Sequence, residues 1–488
     1  MRLTARQLFP ILLFIAILLM TIRPIADPDF WWHLRTGEWM VASHAVPHAD
    51  PFSFTNLGKT WTAHEWLSEL VIYGLYRLGG LPLLILTFAL VITAAFWLVY
   101  RRSPGRPYFA GFALLLGVLA AAPAWGVRPQ MLSLLLTSLF LFLLDRYSET
   151  RSLKWIIPLP FLTALWVNLH AGFALGLGIA AVYLGSDFLE WIGSLVSPSG
   201  KKRNLRDLLP LAAVLAACGL AVLANPNGAR MYVYPFETLF SSAMQAYIQE
   251  WFSPDFHRPE WQPLAWMFLA LIGLAIFARR HRIPLAHILL TLFFGYMSLR
   301  SMRHVPLFVL AAVPVLAALA EGAAGAAREA LKTATGSPVQ KAPPLPGWVN
   351  VLLILFALLA AGGRFASVVS SQPEVERETF PAAAVDWILA NQPDGNIYNT
   401  YSWGGYLTWR LRDYPVFIDG RADLYGDAFI ESFLDIYRAR PGWQEALADN
   451  GVNLALVEPG SAIGDALAVS PEWELVFSDE NSLLFVRR

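Results

Sequence analysis

Ala26-Asp27-Pro28-Asp29-Phe30-Trp31-Trp32-His33-Leu34-Arg35-Thr36-Gly37-Glu38 follows the first apolar run of the chain, Leu8 to Ile22. Two carboxylates, a tryptophan pair, a histidine and an arginine stand close to the end of a helix apolar enough to enter a membrane. A plain connecting loop has no need of that chemistry, and the stretch reads as the active-site loop of a membrane enzyme. Arg2 and Arg6 precede the apolar run, as in a signal peptide, but Arg23-Pro24 and the acidic stretch follow where a small-residue cleavage site would stand. The first helix is therefore read as uncleaved.

The rest of the chain fits that setting. Of 488 residues, 56% are hydrophobic, 14% aromatic and only 15% charged, and mean hydropathy is +0.48. This is too apolar for a soluble protein of such length and matches a polytopic membrane protein. Net charge is zero, so there is no global electrostatic attraction to nucleic acid. The single cysteine, Cys218, lies in an apolar run and reads as packing; one thiol excludes a disulfide framework.

A membrane helix needs about 20 mostly apolar residues. Candidate spans are 7–22, 80–100, 108–125, 130–145, 155–169, 171–191, 208–224, 263–278, 283–299, 305–320 and 347–362, about eleven in all. Arginine and lysine concentrate in alternate loops, at Arg2/Arg6, Arg101/Arg102/Arg106, Arg146/Arg151/Lys154, Lys201 to Arg206 and Arg279 to Arg282. By the positive-inside rule these loops and the N-terminus are cytoplasmic. The expected location is the cell (inner or plasma) membrane.

The motif-bearing segments then share the other face: Asp27 to Glu38, Gly126 to Gln130, Asn168 to His170, Asn225 to Gly228 and Arg300 to His304. One site at the non-cytoplasmic boundary accounts for that clustering. The expected organisation is a transmembrane domain over 1–362, with a long first outer loop (23–79) and a cytoplasmic linker (321–346). A non-cytoplasmic α/β domain follows over 364–488. Strands are expected at Asn396 to Tyr401, Val416 to Asp419, Asn453 to Val457 and Leu483 to Val486, and helices at Gly405 to Leu411, Ala428 to Tyr437 and Trp443 to Asn450. The segment Glu65 to Leu78 has apolar residues at helical spacing and is expected along the interface.

The motifs DPDFWWHLRTGEW (27–39), HEWLSE (64–69), RPQ (128–130), NLHAG (168–172), NPNG (225–228), RSMRHVPLF (300–308) and YSWGGYLTWRL with PVFIDGRADLYGD (401–427) carry a resemblance. With the long first outer loop and the C-terminal domain, they resemble the GT-C class of glycosyltransferases, and more closely a bacterial family of GT-C-like proteins. The resemblance implies an α-helical polytopic fold and a membrane lipid environment. It implies a polyprenyl-phosphate-linked sugar as donor, a glycan, lipid or protein as acceptor, and inversion at the sugar carbon. It also implies a catalytic aspartate in the first outer loop, which falls on Asp27 or Asp29. Ser402 to Tyr406 is similar to the WWDYG motif of oligosaccharyltransferase catalytic subunits, but lacks its aspartate.

Glycosyl transfer needs a base for the acceptor proton and cations for the leaving phosphate. Asp27 or Asp29 supplies the base; the alternative is an N-cap for a helix starting near Phe30. Arg128, Arg300, Arg303 and His304 are candidates for the donor phosphate, the alternative being snorkelling or pairing with acidic loop residues. Trp31, Trp32, His33, His64, Glu65 and His170 are candidates for substrate binding, set against aromatic-belt and structural roles. Asp27, Asp29, His64 and Glu65 together suit a divalent metal ion or a hydrogen-bond network. Trp403, Tyr406, Asp419, Arg421 and Asp423 are acceptor-side candidates, the last three set against a salt-bridged turn. The rival functions are a transporter or flippase of lipid-linked or polar solutes, with ionisable groups deep in its spans, and a non-catalytic binding protein.

Overall fold

The computed structural model describes residues 3–196, 204–277, 283–335 and 346–488. Eight helices among these residues are long and apolar enough to cross a membrane, and three shorter apolar helices, Ala5–Thr21, Leu153–Leu169 and Leu285–Arg300, accompany them. The chain is a multi-pass membrane protein with a small C-terminal α/β unit. The basic residues Arg2, Lys201, Lys202, Arg203, Arg279, Arg280 and Arg282 lie outside the described residues.

The first half comprises α1 (Ala5–Thr21), α2 (Pro28–Ser43), α3 (Trp66–Arg102), α4 (Pro107–Ala121), α5 (Pro129–Thr150), α6 (Leu159–Leu169), α7 (Phe173–Val196) and α8 (Leu209–Ala221). Two short helices, α9 (Tyr234–Phe240) and α10 (Ser242–Tyr247), precede α11 (Gln262–Phe277), α12 (Leu285–Arg300), α13 (Val305–Thr335) and α14 (Gly347–Thr379). The segment 321–346 is thus helical to Thr335, and residues 336–345 lie outside the described residues. The last span continues well past residue 362, because the run Arg364 to Thr379 is helix-compatible although polar.

Local sequence sets the elements that matter for the site. Asp27 caps α2, its side chain accepting the Asp29 N–H at 2.9 Å, and Pro28 supplies a first helical residue with no N–H to leave unpaired. Arg128 precedes Pro129 and is held extended (φ −142°, ψ 151°), as the residue before a proline must be, so α5 begins directly behind it. The helix beginning at Trp66 breaks at Gly79–Gly80, where Gly80 has φ +64°, a conformation only glycine adopts readily. The break separates Trp66 to Leu78 from the membrane-length part of α3.

The first and last long helices run side by side and are tied at both ends. The Asn350 amide donates to Leu3 O (2.6 Å), and the Gln372 side chain both accepts from Ile25 N (2.8 Å) and donates to Ile25 O (2.9 Å). At the other end of the bundle from the Asp27 loop, Asp145 gathers several spans. It accepts from Arg102 Nε (2.7 Å), from the Tyr183 hydroxyl and from His287 Nε2 (2.7 Å), while Arg102 Nη1 donates to Leu310 O (2.9 Å).

The C-terminal unit carries α15 (Ala382–Asn391), β1 (Asn396–Asn399), α16 (Gly404–Arg410), α17 (Ala422–Tyr425), α18 (Asp427–Tyr437), α19 (Trp443–Asp449), β2 (Val452–Val457), α20 (Ala462–Val469), β3 (Trp473–Ser478) and β4 (Leu483–Arg487). The sheet order is β1-β2-β4-β3, with β1 parallel to β2 and the other neighbours antiparallel. Val416 to Asp419 is not a strand of this sheet. Val416 forms an isolated parallel bridge with Ile397 of β1 and exchanges backbone bonds with the first loop, donating to Phe52 O and accepting from Phe54 N, both at 3.1 Å. Thr55 and Lys59 of the same loop donate to Phe417 O and Tyr425 O. The helix α16 packs directly on α2: a Cβ on Gly405 would fall 2.7 Å from Pro28 O, and one on Gly404 only 2.0 Å from Ile418 O. This close approach is the role of the Gly-Gly pair in the SWGGY stretch.

Candidate active site

The α2 N-terminus, the start of α5 and the turn at Gln249–Trp251 meet at one arginine. Arg128 Nη2 donates to Asp29 Oδ2 (2.8 Å), Arg128 Nε lies 3.1 Å from Asp27 Oδ2, and Arg128 Nη1 pairs with Glu250. Trp32 Nε1, one turn along α2, donates to Asp29 Oδ1 at 3.2 Å. One cation thus faces three carboxylates, a surplus of two negative charges if all ionise. Burial raises the Asp29 carboxyl to about 7; Asp27 and Glu250 add to the rise, and Arg128 and the Trp32 N–H hold it back. Burial also raises Asp27, against the opposing charge of Arg128. At Glu250, burial is outweighed by Arg128 and Arg303, and its carboxyl lies below the ordinary value. Asp29 is therefore a carboxylate that exchanges its proton near neutral pH, as a general base should.

A second cluster surrounds Glu65, immediately before α3. Its carboxylate lies 3.0 Å from His64 Nε2, 3.3 Å from His170 Nε2 and 3.5 Å from His33 Nδ1. His170 Nδ1 accepts the Gly172 N–H at 2.8 Å, so its proton sits on Nε2, facing Glu65. His64 Nδ1 faces the Thr62 carbonyl (3.3 Å) and its Nε2 faces the Glu65 carboxylate. Neither partner can donate, so both contacts favour the protonated form of His64. Burial opposes that charge, but Glu65 outweighs it and raises the His64 value. Burial lowers His170 to about 4 and His33 to about 3, leaving both neutral. His33 Nδ1 also faces Glu69 Oε1 at 3.4 Å. The His64 ring lies over Tyr234 (4.4 Å between centroids), whose hydroxyl donates to Asp423 at 2.9 Å.

The structure sorts the other sequence candidates. Arg128, expected at the donor phosphate, is engaged by carboxylates. Arg303 lies 5.1 Å over the Trp251 ring and makes no ion pair among the described residues. Arg300 is exposed and donates to Gln245 (3.4 Å), and His304 packs edge-on to Trp251. Trp31 is core, edge-on to Phe380 and Tyr406. Trp403 is buried in the same core, and the Tyr406 hydroxyl donates to Glu376 at 2.8 Å. Asp419 and Arg421 form a fully buried pair, and Asp423 is exposed beside Tyr234. Asp27, Asp29, His64 and Glu65 divide between the two clusters. Among the described residues no three His, Cys, Asp or Glu side chains are grouped to hold a metal ion. Sequence reasoning assigned no role to Glu250, Glu69 or Gly420. Glu250 reaches Arg128 across 122 residues, and no local spacing signals such a pair.

No protein-family model matches the sequence, and no curated protein matches it. Solved structures do. The archaeal oligosaccharyltransferase AglB from Archaeoglobus fulgidus, in complex with an inhibitory peptide and a dolichol-phosphate, is 12% identical over 92% of this chain and 69% of its own, with a TM-score of 0.58. ArnT from Cupriavidus metallidurans in the apo state is 16% identical over 97% of both chains, with a TM-score of 0.52. The arabinofuranosyltransferase AftD from Mycobacteria is 16% identical with a TM-score of 0.54, and this chain spans 42% of its length. At these identities the likeness speaks for architecture, and that architecture is a GT-C-like fold.

Proposed function

We propose that the protein is a membrane glycosyltransferase that moves a sugar from a polyprenyl-phosphate donor to an acceptor hydroxyl or amide at the bundle end carrying the C-terminal unit. The observation that carries this reading is Asp29. Its carboxyl titrates near 7, between Arg128 and the Trp32 N–H, at the start of the first loop of a GT-C-like fold. Asp29 takes the acceptor proton as the acceptor atom bonds to the anomeric carbon. The bond from that carbon to the phosphate oxygen breaks, and polyprenyl phosphate leaves with the electron pair. Attack opposite the leaving group gives inversion.

Asp27 and Arg128 hold Asp29 in place, and Arg303, stacked on Trp251, is the cation available to the leaving phosphate. The test is donor consumption by purified protein in liposomes, with a panel of polyprenyl-phosphate sugars and a broad acceptor extract, with and without chelator. Asp29→Asn should lower turnover by about 10²-fold or more. Folded wild-type protein that consumes no donor would return the weight to transport or binding.

A further inference from the structure

We infer that the C-terminal unit completes the carboxylate site: the buried Asp50–Arg421–Asp419 clamp presses Gly420 against the Asp29 carboxylate, making Arg421 a positioning residue that acts through Gly420. The inference rests on the reading of Asp29 as the base. Gly420 stands so close that a Cβ added to it would fall 1.9 Å from Asp29 Oδ1 and 3.1 Å from Trp32 Nε1. No side chain other than hydrogen fits between the loop and the carboxylate.

The residues on either side of Gly420 are fixed. Arg421 Nε and Nη2 donate to the two oxygens of Asp419 at 2.9 and 2.6 Å, and the Arg421 N–H donates to Asp419 Oδ1 at 3.0 Å. Its remaining terminal nitrogen, Nη1, lies 2.8 Å from Asp50 Oδ1, in the first loop. The guanidinium lies over Trp61 (4.6 Å) and Phe52 (5.1 Å), and all three charged side chains are out of solvent. Asp50 is further held by the backbone N–H groups of Phe52 and Ser53. Buried ionic triads of this kind contribute little net stability over apolar packing of similar volume, and their best-attested use is to fix register. Here the register fixed is that of Gly420. A lysine, with one compact charge, cannot bridge both carboxylates as the planar guanidinium does.

The charged and titratable groups around Asp29 are Asp27 on its own helix, Arg128 at the start of α5, Glu250 on the 249–251 turn and Tyr401 beside β1. Gly420 covers the side of the carboxylate next to Trp32 Nε1, while the Asp29 side chain stays 24% exposed on the rest of its surface. Loosening the clamp admits more water to Asp29 and favours its ionised form; adding a methyl at 420 drives the carboxylate off the Trp32 N–H and favours its protonated form.

The experiment uses the full chain in lipid, labelled with [4-¹³C]aspartate, and follows the Asp29 carboxyl resonance, identified by its loss in Asp29→Asn. The expected midpoint moves down by about one pH unit in Arg421→Lys and up in Gly420→Ala. With an active donor, Gly420→Ala lowers kcat by about 10²-fold, the cost of an ångström-scale misplacement, while KM changes less than about threefold. Midpoints unmoved in folded variants, or a wild-type kcat in Gly420→Ala, overturn the inference. If Arg421→Lys does not fold, Gly420→Ala, whose clamp is intact, decides alone. If wild type consumes no donor, the midpoints still decide the contact, while the glycosyltransferase reading falls separately.

Discussion

Replacing Arg128 by glutamine separates two roles for this residue, anchor of the carboxylates and ligand of the phosphate. The Arg128 guanidinium contacts Asp29 at 2.8 Å and Asp27 at 3.1 Å, so charge centres lie roughly 4 Å apart. At an effective dielectric constant near 20 each pair is worth about 4 kcal/mol. The Arg128 and Asp29 side chains are 15% and 24% exposed, and solvent screening reduces this to roughly 2 kcal/mol. At 1.36 kcal/mol per unit, loss of the cation raises the Asp29 midpoint by between about one and two pH units. The sign follows from the charge, since removing a cation strengthens a carboxylate's hold on its proton.

At pH 7 the ionised fraction of Asp29 then falls from about a half to between about 1 and 10 per cent, and kcat/KM falls roughly 5- to 50-fold. The assay is the pH profile of kcat/KM for donor consumption. The acid limb should move upward and activity should recover near pH 9. A limb that stays in place while donor KM rises at every pH would refute this reasoning and assign Arg128 to the phosphate.

Three further outcomes are expected. Arg303→Ala should raise donor KM about tenfold, a loss of roughly 1.4 kcal/mol, without moving the acid limb; an unchanged KM removes Arg303 from the phosphate site. His64→Gln should destabilise the protein most between the ordinary values of Glu65 and His64. The raised His64 value contributes stability that is lost as pH rises through it, and the depressed Glu65 value contributes stability that is lost only as pH falls below the usual carboxylate range. Melting temperatures at pH 5.5 and pH 9 check this, and an equal loss at both contradicts it. Asp145→Leu should cost about 3–5 kcal/mol by leaving Arg102 buried without its carboxylate. Urea or thermal unfolding in detergent measures it, and wild-type stability would show that Leu310 O and water suffice for Arg102.

Much of the architecture was legible because burial in a bilayer writes itself into composition. The apolar runs located the bundle, and Asp27 to Glu38 marked the end at which the Arg128 carboxylate cluster gathers. Helix ends were less legible: apolarity stops at residue 362, but α14 continues to Thr379 because backbone bonding persists until the chain turns at Phe380. Val416 to Asp419 has the residues of a strand, yet beyond a single bridge to Ile397 its backbone bonds at Val416 go to the first loop, more than 350 residues earlier. The acidic pair was legible as both cap and base, and Asp27 does cap α2. What spacing does not encode is the pairing of Arg128 with Glu250, or of Arg421 with Asp50, since each is decided by how distant segments dock. For the same reason the sequence left Arg128 between the donor phosphate and pairing with an acidic loop residue, where the structure shows the pairing, and it read Trp31 as a substrate or aromatic-belt residue where the structure puts it in the core.

The clasp between α1 and α14 also orders the protein's manufacture. Leu3 and Ile25 are synthesised 347 residues before Asn350 and Gln372, their partners. At about 5–20 residues per second, that interval lasts on the order of 20–70 s. Throughout it the first helix lacks its covering neighbour, and for most of it Asp29 lacks Glu250; Gly420 is made later still. The carboxylate cluster therefore lacks part of its surroundings until residue 420 has been made, and a chain released before that point has no Gly420 to set against Asp29.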